Sequence, residues 1–355
     1  MVEADNEGDF SERGSTLSLS LSLDRPTHDR NSFVSIGDIV SIKALTSAWQ
    51  KFSRGKTSRR DVAEYQKNLQ QNLIGLHRSL STVSYKHTAY QRFRIHDPKQ
   101  RQIHKATVKD RIVHQVIVTA IEPLFDKRFI YDSYSCRIDK GTHAGVERLS
   151  TFLRQAGKNN SRKVYVLKCD IRKYFASVDH EILLGLITRH IQDESILELI
   201  RTVLLSHNPE TGKGIPLGNI TSQLFANIYL HELDWFMKQT LGAKYYARYC
   251  DDFVVASPDK VYLENLIEPI REFLQTVLEL DLHPNKVQIR SWQQGIDFLG
   301  YVLRPYATTL RSKTRRRMMA RANENNISSY MGLCSHADAY RISRIVQLVA
   351  WDRNS

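Results

Sequence analysis

The sequence predicts an α+β fold: an antiparallel sheet with helices laid against it. Three observations carry this expectation. Residues 164–170 (VYVLKCD) form a short β-branched run that ends in an acid, as a buried strand delivering a carboxylate would. Residues 244–256 (KYYARYCDDFVVA) read as strand, turn and strand, with Asp251 and Asp252 at the bend. Residues 262–280 repeat apolar positions at Leu263, Leu266, Ile267, Ile270, Phe273, Leu274 and Val277, which is helical spacing. Strand, helices, hairpin, helix and strands in that order make a split sheet with helices on one face.

The remaining elements follow in chain order. Residues 1–34 are rich in Ser, Asp, Glu and Arg and read as a disordered leader. Residues 17–23 (LSLSLSL) follow acidic residues and alternate with Ser, so they do not make a signal peptide. After a basic run at 51–60, helical spacing passes through Val62, Tyr65, Leu69, Leu73 and Leu76. Residues 109–125 predict a helix capped by Asp110, with Ile112, Val116, Thr119 and Ala120 toward the core. Asp179 opens another helix, carried by Ile182, Leu183, Leu186 and Ile187. Two short strands are expected near 287–289 and 298–303, and a basic then helical tail from Arg311. The expected divisions are 35–163, 164–305 and 306–355.

Bulk composition narrows the partners. The chain has 355 residues and 41% hydrophobic residues, enough for a sizeable core. Lys plus Arg number 51 against 38 Asp plus Glu, a net charge of +13. Such an excess suits a polyanion, most simply nucleic acid. Cys136, Cys169, Cys250 and Cys334 form no CxxC pair, which argues against a structural zinc site or a disulfide framework. A reducing cytoplasm fits that usage. No apolar run approaches the length of a membrane span.

The chemistry gathers at three acids. Asp170 ends a strand, and Asp251 and Asp252 stand side by side in a bend between apolar strands. Two like charges placed together cost electrostatic energy that a cation offsets. Magnesium takes hard oxygen ligands, usually one or two carboxylates with substrate phosphate.

These residues resemble a known family. LKCDIRKYFASVDH, GIPLGNITSQLFANIYL, YCDDFVV, LHPNKVQI and GIDFLGYVL are similar to the ordered motifs of reverse transcriptases. Upstream, RQIHKATVKDRIVHQ and DSYSCRIDKGTHAGVERL resemble the fingers motifs of the bacterial enzymes. The resemblance spans about residues 45–350. It implies a right-hand polymerase fold, with fingers, an RRM-like palm with an antiparallel sheet, and a short helical thumb. Residues 217–223 read LGxxxSQ, where group II intron and retroviral enzymes usually carry QGxxxSP. That form, with KGTHAGV and SYMGLCSHADAYRI, resembles the reverse transcriptases of diversity-generating retroelements. Cys250 is a departure, standing where Met, Val or Ala is more familiar.

The resemblance assigns roles position by position. Asp170 and Asp251 match the metal-bridging carboxylates, with Asp252 beside them and the Ile171 carbonyl completing the ligands. Two Mg²⁺ ions are implied, with Mn²⁺ as a substitute. Phe175 matches the ring that excludes a ribose 2′-hydroxyl. Arg101 matches the arginine that grips the triphosphate, with Lys99 assisting; Arg111 reads as structural. Leu217, Gly218 and Gln223 would lie under the nascent base pair. Lys286 matches the lysine that protonates departing pyrophosphate. Arg315, Arg316 and Arg317, and the basic run at 51–60, would hold template and primer phosphates. The implied partners are an RNA template, a DNA or RNA primer, dNTPs and a small basic accessory protein, with no membrane. Two alternatives stand beside this reading. One is a reverse transcriptase of an antiphage defence system. The other is an idle RNA-binding protein on a polymerase fold, against which the complete set of acids argues.

Overall fold

A computed structural model describes residues 34–96, 100–207 and 210–352, all within one unit spanning Phe33–Ser355. The expected leader, apart from Val34, and Lys99 lie outside the described residues.

Helices α1 (Ile36–Val40), α2 (Ile42–Ser53), α3 (Arg60–Lys67) and α4 (Leu69–Ser81) open the chain. The helical spacing across 62–76 is split at Asn68, whose φ of −118° and ψ of 34° break the helix while Leu69 keeps its place against the core. Hairpin β1 (Gln91–Ile95) and β2 (Arg101–Lys105) follows, then α5 (Val108–Asp126) and α6 (Thr142–Ala156). Next come β3 (Tyr165–Asp170), α7 (Tyr174–Ser177), α8 (His180–Thr188), α9 (Glu194–Leu205) and α10 (Ile220–Trp235), which ends in a π turn. Hairpin β4 (Tyr246–Tyr249) and β5 (Asp252–Ser257) precedes α11 (Lys260–Asn265), α12 (Ile267–Leu278) and β6 (Gln288–Ser291). The chain finishes with β7 (Ile296–Phe298), β8 (Tyr301–Arg304), β9 (Ala307–Leu310), α13 (Ser312–Arg321), α14 (Ile327–Cys334) and α15 (Tyr340–Asp352).

The central sheet runs β4-β5-β3-β6, antiparallel throughout. Side chains alternate across it, as a pleated strand requires. Leu167, Cys169, Tyr246, Phe253 and Val255 enter one core with α2, α4, α5, α8, α9, α10 and α12. Val166, Ala247, Val254 and Ala256 enter a second core with α6, β7, β8, β9, α13, α14 and α15. Both faces are therefore covered, where the sequence suggested helices on one. The single strand expected over 298–303 is broken by a hairpin turn: Leu299 and Gly300 take φ of +50° and +93°, between the end of β7 and β8. β9 completes that three-stranded sheet, so the 305/306 division falls between two of its strands.

Asp179 caps α8 as expected, accepting from the Glu181 and Ile182 amides. Asp110 does not cap α5. Thr107 does, accepting from the Asp110 amide, and the fully buried Asp110 carboxylate instead accepts from Tyr85, Thr107 and the Thr88 amide. Ile112 and Val116 are buried, while Thr119 and Ala120 are only half-buried.

A histidine pair ties α5 to α10 and to the extended segment leading into β1. The His87 Nδ1 lies 2.7 Å from the Thr88 carbonyl, which can only accept, so that nitrogen carries the hydrogen. Burial lowers the His87 pKa, and in the neutral ring its Nε2 accepts from the His114 Nε2, 3.0 Å away. The His114 Nδ1 is left to accept from the Thr221 hydroxyl at 3.3 Å. Both rings are neutral in this arrangement.

Burial, with His87 alongside, pushes the His114 pKa down to about 3. An unfolded histidine titrates near ~6.5. Between these values the unfolded chain binds a proton that the folded one refuses, so stability falls as pH drops. The expected loss by pH ~5 is about 2 kcal/mol. Urea unfolding at pH 7 and pH 5 tests this: the wild type should lose about that much more stability than His114→Gln. Equal losses would show that His114 does not carry the effect.

Candidate active site

The register of β3 on β5 sets Asp170 opposite Asp252. Tyr249 pairs with Asp252 across the β4–β5 hairpin, which leaves Cys250 and Asp251 as its turn. Cys250 adopts φ +55°, a left-handed conformation unusual for a side-chain-bearing residue. Backbone bonds clamp this region from two sides. The Ile171 amide donates to the Asp251 carbonyl at 3.1 Å, and the His283 amide donates to the Asp170 carbonyl at 2.8 Å.

Three carboxylates thus share one sheet edge. Burial raises the pKa of Asp251, and the Asp170 charge raises it further. Burial lifts Asp252 to about 6, against the opposing pull of Lys168. Two ammonium groups compensate in part. Lys286 Nζ lies 2.7 Å from Asp170 Oδ1, and Lys168 Nζ lies 3.3 Å from Asp252 Oδ2. The Asp252 Oδ1 is buried with no hydrogen-bond partner. An unsatisfied buried anion beside two others fits a hard cation. Among the described residues no three His, Cys, Asp or Glu side chains are placed so that they could hold a metal ion by themselves. Substrate phosphate and water would complete the ligands, as magnesium prefers.

A cleft of about 980 Å³ opens over these acids. Its lining includes Arg101, Ile171, Phe175, Leu217, Gly218, Gln223 and Lys286, so the structure brings together most of the expected residues. Arg101 is exposed in β2, and Gln223 is exposed in the first turn of α10. Phe175 is half-buried on α7, its carbonyl accepting from the Ile215 amide at 2.7 Å. The adjacent Tyr174 is buried and bonds the Ala226 carbonyl at 2.7 Å, which fixes the α7 turn. Leu217 is held through its backbone: its carbonyl accepts from the His104 amide at 3.0 Å. Asn219 returns a bond to the His104 carbonyl at 3.1 Å. The β1–β2 hairpin and the 217–219 loop therefore form one wall.

The other basic residues lie elsewhere. Arg315, Arg316 and Arg317 sit on α13, outside the cleft lining, and the first two border a groove with Met319 and Ile342. The run at 51–60 does not line the cleft. Arg111 pairs with Asp61 at 2.5 Å and lies over the Phe52 ring. Sequence reading missed Lys168 and Arg248. Lys168 had a signal: strand alternation puts it on the face that carries Asp170. Arg248 is a charged residue inside an otherwise buried strand.

The family model described as reverse transcriptase (RNA-dependent DNA polymerase) matches residues 94–303, more than half of the chain. The chain belongs to the reverse transcriptase family. It is 26% identical over 243 residues to Protein YkfC of Escherichia coli (strain K12), covering 58% of this chain and 63% of that protein. It is 24% identical over 274 residues to the group II intron-encoded protein LtrA of Lactococcus lactis subsp. cremoris, covering 58% of this chain and 45% of that one. The chain thus spans less than two thirds of the length of these relatives. A telomerase structure from Candida albicans matches with a TM-score of 0.50 at 12% identity, over 75% of this chain and 54% of that one. That likeness, with the family match, gives the right-hand polymerase fold. The β4-β5-β3-β6 sheet is its palm. Among the described residues, no helix is long and apolar enough to cross a membrane.

Gly218 offers a direct check of the reverse transcriptase cleft wall. Its φ is +106°, and a Cβ there would stand 2.9 Å from Ile103 Cγ2. Gly218→Ala should cost about 1–2 kcal/mol for the backbone alone. Ile103→Ala should relieve the contact but not that backbone cost. Thermal unfolding of the single and double variants measures both. A Gly218→Ala protein as stable as wild type would mean that the wall tolerates another backbone path.

Proposed function

We propose that this chain is an RNA-directed DNA polymerase, copying an RNA template into cDNA by two-metal nucleotidyl transfer. It extends a DNA or RNA primer with dNTPs. The observation that carries the reading is the convergence of Asp170, Asp251 and Asp252 at the floor of the cleft, with Asp252 Oδ1 unsatisfied. Asp170, Asp251 and the Ile171 carbonyl would hold the ions, with Asp252 in support. Bound Mg²⁺, or Mn²⁺ in its place, would polarise the primer hydroxyl and neutralise the triphosphate.

The protein's own groups do the rest. Arg101, exposed at the cleft rim, grips the triphosphate with a planar guanidinium. Phe175 closes the sugar side of the pocket against a 2′-hydroxyl. Lys286, whose Nζ lies 2.7 Å from Asp170 Oδ1, would donate a proton to departing pyrophosphate. The net charge of +13 suits the RNA and primer backbones. Arg315, Arg316 and Arg317 on α13 extend that surface into the thumb.

The reading is sharper than polymerase alone. Leu217 heads the LGxxxSQ motif, and its carbonyl is already taken by His104. It therefore offers the nascent base pair an apolar side chain and no side-chain hydrogen bond. A lost hydrogen bond forfeits about 0.5–1.5 kcal/mol of discrimination, roughly two- to tenfold. This supports an error-prone enzyme of a diversity-generating retroelement, working in the cytoplasm with a small basic accessory protein.

Sequencing cDNA made on one RNA template by wild type, Leu217→Gln and Asp251→Asn tests the proposal. Wild type should make cDNA with errors concentrated opposite template adenine. Leu217→Gln should lower those errors roughly two- to tenfold. Asp251→Asn should make none. Full extension by Asp251→Asn would sink the metal reading. Low, equal errors at all four bases in wild type would instead favour a defence enzyme.

A further inference from the structure

Among the described residues Arg248 is one of the largest side chains buried without exposure, and Asp234 beside it is equally buried. A buried ion pair is weak evidence for stability, because an apolar pair of similar volume does as well. What an arginine adds is direction. All five of its N–H donors have an acceptor here. Nε and Nη2 fork onto Asp234 at 2.7 and 2.6 Å. Nη2 also donates to Ser133 Oγ at 3.1 Å, and Nη1 donates to Asn227 Oδ1 at 3.3 Å and to the Cys250 carbonyl at 3.2 Å.

The last contact reaches the hairpin turn. Cys250 is left-handed at φ +55°, a conformation that costs a residue with a Cβ about 1–2 kcal/mol. Its carbonyl belongs to the peptide that leads into Asp251. If that peptide rotates to relax the strain, the Asp251 carboxylate turns away from Asp170. The bond from Arg248 opposes the rotation. The guanidinium itself has no freedom to drift. Asp234 is held in turn by the Tyr246 hydroxyl at 2.7 Å, and the Arg248 backbone is bonded to Asp132 and Tyr134, each at 2.9 Å. Asn227 donates to the Ser135 carbonyl at 2.8 Å, and both residues line the cleft. One cation thus ties the cleft wall, α10 and the turn together.

We propose that Arg248 is a positioning residue: its buried guanidinium holds the Cys250 carbonyl and so aims Asp251 at the metal site. The inference rests on the reading of Asp251 as a metal-binding carboxylate. Lysine at this position keeps the charge opposite Asp234 but cannot span to the turn. An Arg248→Met/Asp234→Ala pair removes both charges together, leaving no buried ion unpaired.

The test is Mn²⁺ binding to the full chain, followed by electron paramagnetic resonance, alongside thermal unfolding and primer extension. Arg248→Lys and the double variant should fold and bind RNA as wild type does. Their Mn²⁺ affinity should fall at least about tenfold, and the Mg²⁺ needed for half-maximal extension should rise by a similar factor. Either variant folded with wild-type Mn²⁺ binding overturns the proposal. Asp251→Asn in the same titration separates the two claims. If it also binds Mn²⁺ normally, the reading of Asp251 fails first. If it loses Mn²⁺ while the Arg248 variants do not, only the positioning role fails.

Discussion

The structure depends on one pairing, that of β3 with β5. Their register sets Asp170 against Asp252, and the tight turn before β5 adds Asp251. Three acids on one partly buried edge repel one another, and burial strips part of the water that would solvate them. Burial raises both Asp251 and Asp252 toward the protonated form. Left alone, this edge would be a cost to folding. The sheet carries it because both faces are packed, with one core on each side. The acids sit at the rim of those cores, where the cleft opens over them.

Much of the surrounding structure manages that charge. Lys286 and Lys168 each take one carboxylate oxygen, and Asp252 keeps one oxygen free. Arg248 supports the turn from beneath and never reaches the cleft surface. The opposite wall is built by backbone. His104, Leu217 and Asn219 bond main chain to main chain or amide to main chain, so the wall keeps its place whatever the Leu217 side chain contacts. Gly218 allows the two segments to meet, since any Cβ would press on Ile103.

The sequence made the acidic edge legible because strand alternation and the double acid leave a strong local pattern. Residues 164–170 and the 244–256 hairpin read correctly for that reason, and Asp179 announced its helix by capping it. What failed to read was nonlocal or hidden by continuity. The apolar spacing continues across Asn68, so one helix was expected where two form. FLGYVL looks like a single strand, and only Gly300 hints at the turn. Asp110 resembles a cap because it is acidic and early in its helix, yet its carboxylate serves Tyr85 and Thr88. Lys168 and Arg248 look solvent-facing by type. Their partners, Asp252 and Asp234, come from other elements, so only the assembled sheet reveals them.

The central claim is that these acids form a metal centre. Anomalous diffraction from crystals of the protein with an RNA–DNA primer-template, Mn²⁺ and a dNTP tests it most directly. The account predicts two peaks roughly 3.5–4 Å apart, flanked by Asp170 and Asp251 and contacting the triphosphate. Ordered nucleotide in the cleft with no anomalous peak beside these carboxylates would contradict it.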